Sequence, residues 1–233
     1  DDLTAKALGV SLLIHYGHSC LIPMNVQSDL KIMYVFVDIK IDTLHAIETL
    51  KCNFLLSKSL AIVSTIQFVS AVQAIGNELQ KVGYNIAIPQ VKPLSPGEIL
   101  GCTAPVLKCS DAVIYIGDGR FHLEAAMIAN PKLEAYKYDP YTKLFTREYY
   151  DYQKMVSIRL KNISQAESAR KVGVIMGTLG RQGSFKVIQY LKGMLENKGK
   201  EAVIILLSEI FPAKLNLLDD IDAFVQVACP RLS

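Results

Sequence analysis

The residues with the clearest chemical potential lie in one short segment, Gly117-Asp118-Gly119-Arg120. Its two glycines leave backbone N–H groups open to an anionic or polar ligand, while Asp118 and Arg120 supply charge at the same place. The segment follows the apolar run Ala112–Ile116, and a helix is predicted over Phe121–Ala129. An apolar run of this length that ends at glycine is typical of a strand buried on both faces of a parallel sheet. Because ligands bind at the carboxyl ends of such strands, the segment predicts a binding site.

Two of the five cysteines lie where a metal could bind. Cys102 falls in the loop Ser95–Pro105, and Cys229 follows directly after a predicted strand. A thiolate at the carboxyl edge of a sheet is well placed to hold a soft metal, although a free cysteine is also a common small core residue. No CxxC motif is present, so the local spacing leaves both roles open.

Composition limits the class of protein. Five cysteines are an odd number and are unevenly spaced, which does not fit a disulfide framework and favours the reducing cytosol. Cys20, Cys52 and Cys109 are interpreted as packing residues, because a free cysteine is often a small core residue. The net charge of +3 is too small to indicate a nucleic-acid surface. No apolar run reaches the roughly eighteen residues of a membrane span.

Strand-like and helix-like segments alternate along the chain, which favours βα units and parallel sheets. Strands are predicted at Ser11–Tyr16, Lys31–Ile39, Ser59–Ser64, Asn85–Ile88, Asp111–Ile116, Glu134–Tyr138, Lys171–Met176, Glu201–Leu207 and Ile221–Val227. Helices are predicted at Asp42–Leu50, Ile66–Val82, Phe121–Ala129, Thr146–Arg170 and Ser184–Asn197. Asp42 and Thr146 are predicted N-caps, and Glu148 then falls in the first turn of its helix. Gly83 and Gly199 are expected to close helices.

A coarser repeat lies within this alternation. The segments Leu12–His18, Ala112–Asp118 and Ala223–Cys229 each resemble a buried strand that ends in a small residue and then a polar or reactive one. The expected fold class is therefore α/β, with three related small domains, each with a short parallel sheet flanked by helices, around a central cleft. The predicted domains are 1–91, 92–170 and 171–233. The chain starts inside a predicted helix and ends just past a strand, so it is interpreted as part of a longer sequence.

Ten segments, spread over nearly the whole chain, resemble one known family. They are His15–Pro23, Tyr34–Ile39, Val63–Phe68, Lys92–Cys102, Gly117–Glu124, Met127–Pro131, Tyr138–Tyr141, Gly177–Gly183, Leu207–Pro212 and Val227–Ser233. Together they are similar to the first subunits of the eukaryotic 2-(3-amino-3-carboxypropyl)histidine synthases, a non-standard radical family that performs the first step of diphthamide biosynthesis.

This resemblance implies one [4Fe–4S] cluster held by three cysteines, one from each domain. Cys102 and Cys229 match the ligands of the second and third domains, and the first would lie ahead of residue 1. Cys20 matches a different family position. The resemblance further implies that S-adenosylmethionine binds at the open iron and that a 3-amino-3-carboxypropyl radical is transferred to a histidine of translation elongation factor 2. Implied partners are a paralogous second subunit, in a heterodimer, and an electron-donor protein; the implied location is the cytoplasm.

Two glycine turns are candidate sites for S-adenosylmethionine within that family scheme. The proposed contacts are Gly117, Asp118, Gly119, Arg120, Gly177, Thr178, Gly180, Arg181 and Gln182. Open amides, two arginines and two helix N-termini would suit the carboxylate of the methionine moiety. Alternatively, both arginines bridge domains in ion pairs. His15, His18 and His122 either line the cavity or are structural, and the Tyr136–Tyr141 cluster is expected to pack between domains.

Two other functions remain open at this level. A nucleotide-binding α/β enzyme could use Gly117–Gly119 for a phosphate, but no GxGxxG or P-loop follows any predicted strand. A non-catalytic scaffold subunit of the same complex is also possible, although a scaffold would not need both Cys102 and Cys229.

Overall fold

The computed structural model describes residues 2–17, 30–101, 103–178 and 184–228. Its helices are α1 (Asp2–Ala7), α2 (Thr43–Asn53), α3 (Val69–Lys81), α4 (Phe121–Ala129), α5 (Tyr152–Glu167), α6 (Phe185–Asn197) and α7 (Pro212–Leu215). Its strands are β1 (Leu12–Tyr16), β2 (Lys31–Val35), β3 (Ser59–Ser64), β4 (Asn85–Ala87), β5 (Ala112–Ile116), β6 (Glu134–Tyr138), β7 (Phe145–Glu148), β8 (Lys171–Gly177), β9 (Glu201–Leu207) and β10 (Ala223–Val227).

The chain divides into two compact units. One, here called the five-stranded unit, is built on a sheet of order β4-β3-β5-β6-β7. The other, called the three-stranded unit, is built on a sheet of order β10-β8-β9, and α5, α6 and α7 belong to it. β1 and β2 pair in a separate two-stranded sheet. The expected α/β class, with short parallel sheets flanked by helices, is confirmed.

The five-stranded unit has the denser core. β3, β4, β5 and β6 run parallel, and only β7 is antiparallel. Every residue of β5 is buried, as its continuous apolar run predicts. α2 and α3 pack on one face of this sheet, where Leu60, Ile62, Ile75 and Leu79 are fully buried. Each such side chain stabilises the fold by about 1.5–3 kcal/mol relative to an exposed one.

The three-stranded unit is more thinly covered. All three strands run parallel, and Val172, Val174 and Ile175 of β8 are buried between the other two. α6 packs on β8 and β9, yet Ile188 is its one buried residue among those described. No described residue of α5 is buried.

The two units share a topology. In the order β4-β3-β5, the strand that comes first in the chain lies centrally, and the order β9-β8-β10 repeats this arrangement with α6 in the place of α3. An aspartate before the third strand also recurs. Asp111 Oδ2 accepts a hydrogen bond from the Ser59 N–H at 2.9 Å, and Asp222 Oδ2 accepts one from the Lys171 N–H at 2.8 Å. The predicted equivalence of 112–118 and 223–229 is thus supported for their strands, while that of 12–18 stays a prediction.

Several predicted elements need correction. Residues 145–148 form β7, and Thr146 is therefore not an N-cap; the helix starts at Tyr152, where Asp151 accepts a hydrogen bond from the Lys154 N–H at 2.8 Å. The strand from Lys31 ends at Val35 instead of Ile39. The helix predicted at Ile66–Val82 begins with a 3₁₀ turn before α3.

The predicted division at residues 91 and 92 passes through a hydrogen-bonded sheet, because β3 and β4 lie before it and β5 after it. The three-domain division as a whole stays a prediction. Asp42 caps α2 as predicted, and it accepts a hydrogen bond from the His45 N–H at 3.1 Å. Gly83 and Gly199 follow helices with the positive φ that closing glycines adopt.

Candidate functional site

The Gly117–Arg120 turn lies at the carboxyl edge of the five-stranded sheet, as predicted. Ser64, Ile116 and Tyr138 stand side by side at the ends of β3, β5 and β6. The Gly117 N–H donates to the Tyr138 carbonyl at 3.0 Å, so the chain leaves the sheet immediately afterwards. Asp118, Gly119 and Arg120 are exposed. The turn is therefore anchored at its first residue and open at the next three.

A buried tyrosine supports this turn from within the sheet. The Tyr115 hydroxyl donates to the Asp118 carbonyl at 3.4 Å. The imidazole of His122 stacks on the Tyr115 ring, with 6.4 Å between the two ring centroids. A Cβ on Gly117 would lie 2.7 Å from the Tyr115 hydroxyl oxygen, so this position requires glycine. Burial raises the pKa of Tyr115 to about 12, which keeps the phenol neutral.

Arg120 is held by two carboxylates of its own unit. Its Nε donates to Glu124 Oε1 at 2.8 Å, and its other donors reach Glu148 and the Tyr149 carbonyl. The hydrogen bond to Glu124 and the nearby charge of Glu148 raise the pKa of the guanidinium, while partial burial opposes them. The ion pairs expected as an alternative role are present, although they lie inside one unit.

The loop before β5 adds to the same edge. The Ser64 N–H donates to the Gly97 carbonyl at 2.8 Å, and the Ile99 N–H donates to the Ser64 carbonyl at 2.9 Å. The loop thereby extends the sheet beside β3. A Cβ on Gly101 would overlap the ring of Phe121, which is the first residue of α4. Cys102 lies outside the described residues, but Gly101 before it lies directly beside the start of α4.

Glu98 in this loop was not predicted as a site residue. Its side chain is 2% exposed, and Oε2 accepts a hydrogen bond from the Ser95 N–H at 3.0 Å. Oε1 is buried and has no hydrogen-bond partner among the described residues. An unpaired buried carboxylate oxygen is costly, which marks this position as unusual. The sequence signal was a single acidic residue within an otherwise small and apolar run.

At the carboxyl edge of the three-stranded sheet, Gly177 and Thr178 are the described residues of the second predicted glycine turn. The Thr178 N–H donates to the Leu207 carbonyl at 2.8 Å, so β8 and β9 stay paired to the end of β8. A Cβ on Gly177 would lie 2.7 Å from Cβ of Ala228, the residue after β10. The ends of β8 and β10 therefore touch. Gly180, Arg181, Gln182 and Cys229 lie outside the described residues.

The remaining sequence candidates divide into three groups. His15 stacks on Tyr34 at 5.1 Å in the two-stranded sheet, and His18 and Cys20 lie outside the described residues. Tyr136 and Tyr141 pack within the five-stranded unit, on Phe145 and Phe68 respectively. Cys52 and Cys109 are both exposed, so the prediction that they pack in the core is wrong. Cys52 lies in the last turn of α2, and Cys109 in the loop before β5.

Residues 2–17, 30–101, 103–178 and 184–228 contain no group of three or more His, Cys, Asp or Glu side chains that could hold a metal ion. Both predicted metal ligands fall outside these ranges. Within the same ranges, no helix has the length and apolarity that crossing a membrane requires.

Comparison with known proteins identifies close relatives. The family described as "Putative diphthamide synthesis protein" matches residues 1–233. A 2-(3-amino-3-carboxypropyl)histidine synthase subunit 1 from Nematostella vectensis is 61% identical over 233 residues, which are 100% of this chain and 50% of that protein. Its counterpart from Homo sapiens is 57% identical over 235 residues, 100% of this chain and 53% of that protein. The chain spans about half the length of these curated relatives.

A solved structure shows the same fold. Dph2 from Pyrococcus horikoshii, in a crystal structure with a 4Fe-4S cluster, matches 99% of this chain and 67% of that chain. The TM-score is 0.75 and the sequence identity is 26%. The α/β fold described above is therefore found in a protein whose structure holds an iron–sulfur cluster.

Proposed function

The chain belongs to the diphthamide synthesis protein family, and from that premise we propose that its full-length protein is a 3-amino-3-carboxypropyltransferase. In this proposal the group comes from S-adenosylmethionine and is transferred to a histidine of translation elongation factor 2. The observation that carries the proposal is the setting of the two predicted cysteine ligands. Each follows a residue, Gly101 or Ala228, that packs at the carboxyl edge of a parallel sheet beside a glycine turn.

The described surroundings of the two cysteines fit a cluster. Gly101 packs closely against Phe121, and Gly177 packs closely against Ala228, so each contact fixes the backbone that leads directly into a predicted cysteine ligand. Cys102 and Cys229 would hold the cluster with thiolates, and a third ligand would come from the segment that precedes residue 1 in the family. When bound, a [4Fe–4S] cluster supplies the electron that breaks the bond from the sulfonium sulfur to the methionine-derived carbon chain.

The protein's own task is then to hold the amino-acid moiety of the cofactor. The exposed Gly119 N–H is available to a carboxylate, and the Asp118 carboxylate is available to an ammonium group. The two carboxylates that pair with Arg120, Glu124 and Glu148, would suit a ligand that is cationic overall, as S-adenosylmethionine is. Arg120 itself would orient the turn through Glu124 and Glu148 and contribute less to direct binding than its sequence position suggests. The proposed contacts of Gly177, Thr178, Gly180, Arg181 and Gln182 would complete the site.

Partners enter the proposal from the family. We expect a paralogous second subunit in a heterodimer, an electron-donor protein, and elongation factor 2 as the protein substrate. We expect the complex to act in the cytoplasm, since an odd number of unevenly spaced cysteines suits a reducing compartment.

The test is anaerobic turnover with analysis of both products. The full-length protein, with its second subunit, a reductant and S-adenosylmethionine, should modify elongation factor 2 by the mass of one 3-amino-3-carboxypropyl group. Methylthioadenosine should form in equal amount, because cleavage of the bond to the amino-acid chain leaves both the methyl and the adenosyl group on sulfur. Deoxyadenosine as the main product would mean that a different carbon–sulfur bond breaks. An unmodified elongation factor 2, with a protein that holds its cluster, would favour a scaffold subunit instead.

A further inference from the structure

Tyr115 occupies an unusual place for a large polar side chain. It is the fourth residue of the fully buried strand β5 and is itself 1% exposed. Its hydroxyl does not turn toward solvent but reaches the Asp118 carbonyl three residues later. The same oxygen occupies the space that a side chain on Gly117 would need. The phenol therefore lies directly behind the Gly117–Gly119 turn.

A second buried hydroxyl lies beside it. Thr65 follows the end of β3, and because Ser64 stands opposite Ile116, Thr65 and Tyr115 project to the same face of the sheet. Thr65 is 8% exposed, and its hydroxyl makes no well-aligned hydrogen bond to any described residue. Burial is the main cause of the raised pKa of Tyr115, and the neighbouring Thr65 hydroxyl opposes it. The phenol thus stays neutral, and its hydroxyl lies 3.4 Å from the Asp118 carbonyl oxygen, within reach of a long hydrogen bond.

The peptide bond between Asp118 and Gly119 links the position of the Asp118 carbonyl to the direction of the Gly119 N–H group. A trans peptide is planar, and its C=O and N–H groups point in opposite directions. Once the Asp118 carbonyl is held toward the sheet by Tyr115, the Gly119 N–H must point away from the sheet. Gly119 has a φ of +65°, and nothing lies within 4 Å of where its Cβ would be. The turn is therefore uncrowded at Gly119, which is an exposed residue.

We infer that Tyr115 is a positioning residue, which aims the Gly119 N–H at the carboxylate of an amino-acid ligand bound at this edge. The inference rests on the proposed function, from which it takes S-adenosylmethionine as the ligand. Tyr115 does not touch the ligand in this scheme. It acts through the backbone of Asp118, and the required glycine at 117 leaves the room that its hydroxyl occupies.

The chain offers a matched control in Tyr138. This tyrosine ends the neighbouring strand β6, is also 1% exposed, and carries a hydroxyl bonded to His45 Nδ1 at 2.9 Å. Because Ile116 stands opposite Tyr138, its ring projects to the face opposite that of Tyr115. Phenylalanine at either position removes one buried hydroxyl and keeps the ring. Only the change at Tyr115 should affect the turn.

The experiment compares Tyr115→Phe with Tyr138→Phe in the full-length protein. Equilibrium binding of S-adenosylmethionine should weaken roughly five- to tenfold for Tyr115→Phe, the range that the loss of one hydrogen bond allows. For Tyr138→Phe the affinity should stay within about twofold, and the melting temperature should fall because a hydrogen bond to His45 is lost. Amide exchange of Gly117, measured without ligand, should accelerate in Tyr115→Phe alone.

The outcomes separate the inference from the proposed function. Wild-type affinity and unchanged Gly117 exchange in Tyr115→Phe would overturn the positioning role and leave the proposed function intact. Equal losses of affinity in both variants would overturn it as well, since a general loss of stability would then explain them. Absence of binding by the wild-type protein would reject the proposed ligand, and the exchange measurement would still decide whether Tyr115 fixes the turn.

Discussion

The five-stranded and three-stranded sheets are alike at the amino ends of their parallel strands and differ at the carboxyl ends. At the amino edges, Asp111 and Asp222 accept backbone hydrogen bonds in the same way. At the carboxyl edge of the five-stranded sheet, Tyr115 and the Arg120 ion pairs support the turn. At that of the three-stranded sheet, the described contact is between two small residues, Gly177 and Ala228. The shared topology therefore carries a polar, supported turn at one edge and, among the described residues, a close contact between small residues at the other.

The comparison predicts its largest effect at Gly117. Alanine there would place a methyl group 2.7 Å from the Tyr115 hydroxyl, so the turn or the phenol must move. A displacement of about 1 Å at a binding turn can cost roughly a hundredfold in rate. We expect Gly117→Ala to lose about that much transfer activity. The initial rate of transfer to elongation factor 2 would measure this loss of activity. An unchanged rate would show that the turn does not contact the ligand.

The corresponding change in the three-stranded unit is Gly177→Ala. Its Cβ would meet that of Ala228 at 2.7 Å and push the ends of β8 and β10 apart. Overpacking of this kind costs about 1–3 kcal/mol in the free energy of unfolding. Urea unfolding would measure this loss of stability.

Gly193 in α6 is the control, because nothing lies within 4 Å of its Cβ position. Gly193→Ala should stabilise the protein by up to about 1 kcal/mol through helix propensity. Equal effects at both glycines would contradict the close packing described here.

At the amino edges of the sheets we expect a smaller effect on stability, and this effect depends on pH. The N–H groups of Lys171 and Arg170 hold the pKa of Asp222 below its usual value. A carboxyl with a pKa lowered by folding stabilises the fold above its unfolded pKa, and this is lost as the pH falls through the folded pKa. The urea midpoint should therefore drop on acidification, from about pH 5 downward. Asp222→Asn should flatten that drop, because an amide oxygen accepts at any pH. A slope identical to that of the wild type would rule out Asp222 as its source.

The sequence predicted most of the strands and the Gly117–Arg120 turn, but not the contacts that support this turn. β5 and its turn could be predicted because a short apolar run that stops at glycine is typical of a buried strand followed by a turn. The contacts of Tyr115 and Thr65 could not, because a strand buried on both faces gives no alternation to tell which side each residue faces. β7 was missed because its four residues form a strand only through pairing with β6. The prediction that Cys52 and Cys109 are buried was wrong because it relied on the residue type alone. Both thiols are exposed, since Cys52 lies in the last turn of α2 and Cys109 lies in a loop.

We propose that Cys102 and Cys229, together with a third ligand, hold one [4Fe–4S] cluster. The direct measurement is the iron content, visible absorbance and EPR signal of the anaerobically reconstituted full-length protein, with Cys102→Ser and Cys229→Ser made separately. Serine keeps the size and removes the soft ligand. Each variant should lose the cluster and the transfer of the 3-amino-3-carboxypropyl group together, while Cys52→Ser and Cys109→Ser, which change exposed thiols, should retain both. A full cluster signal and wild-type transfer in either ligand variant would contradict the account.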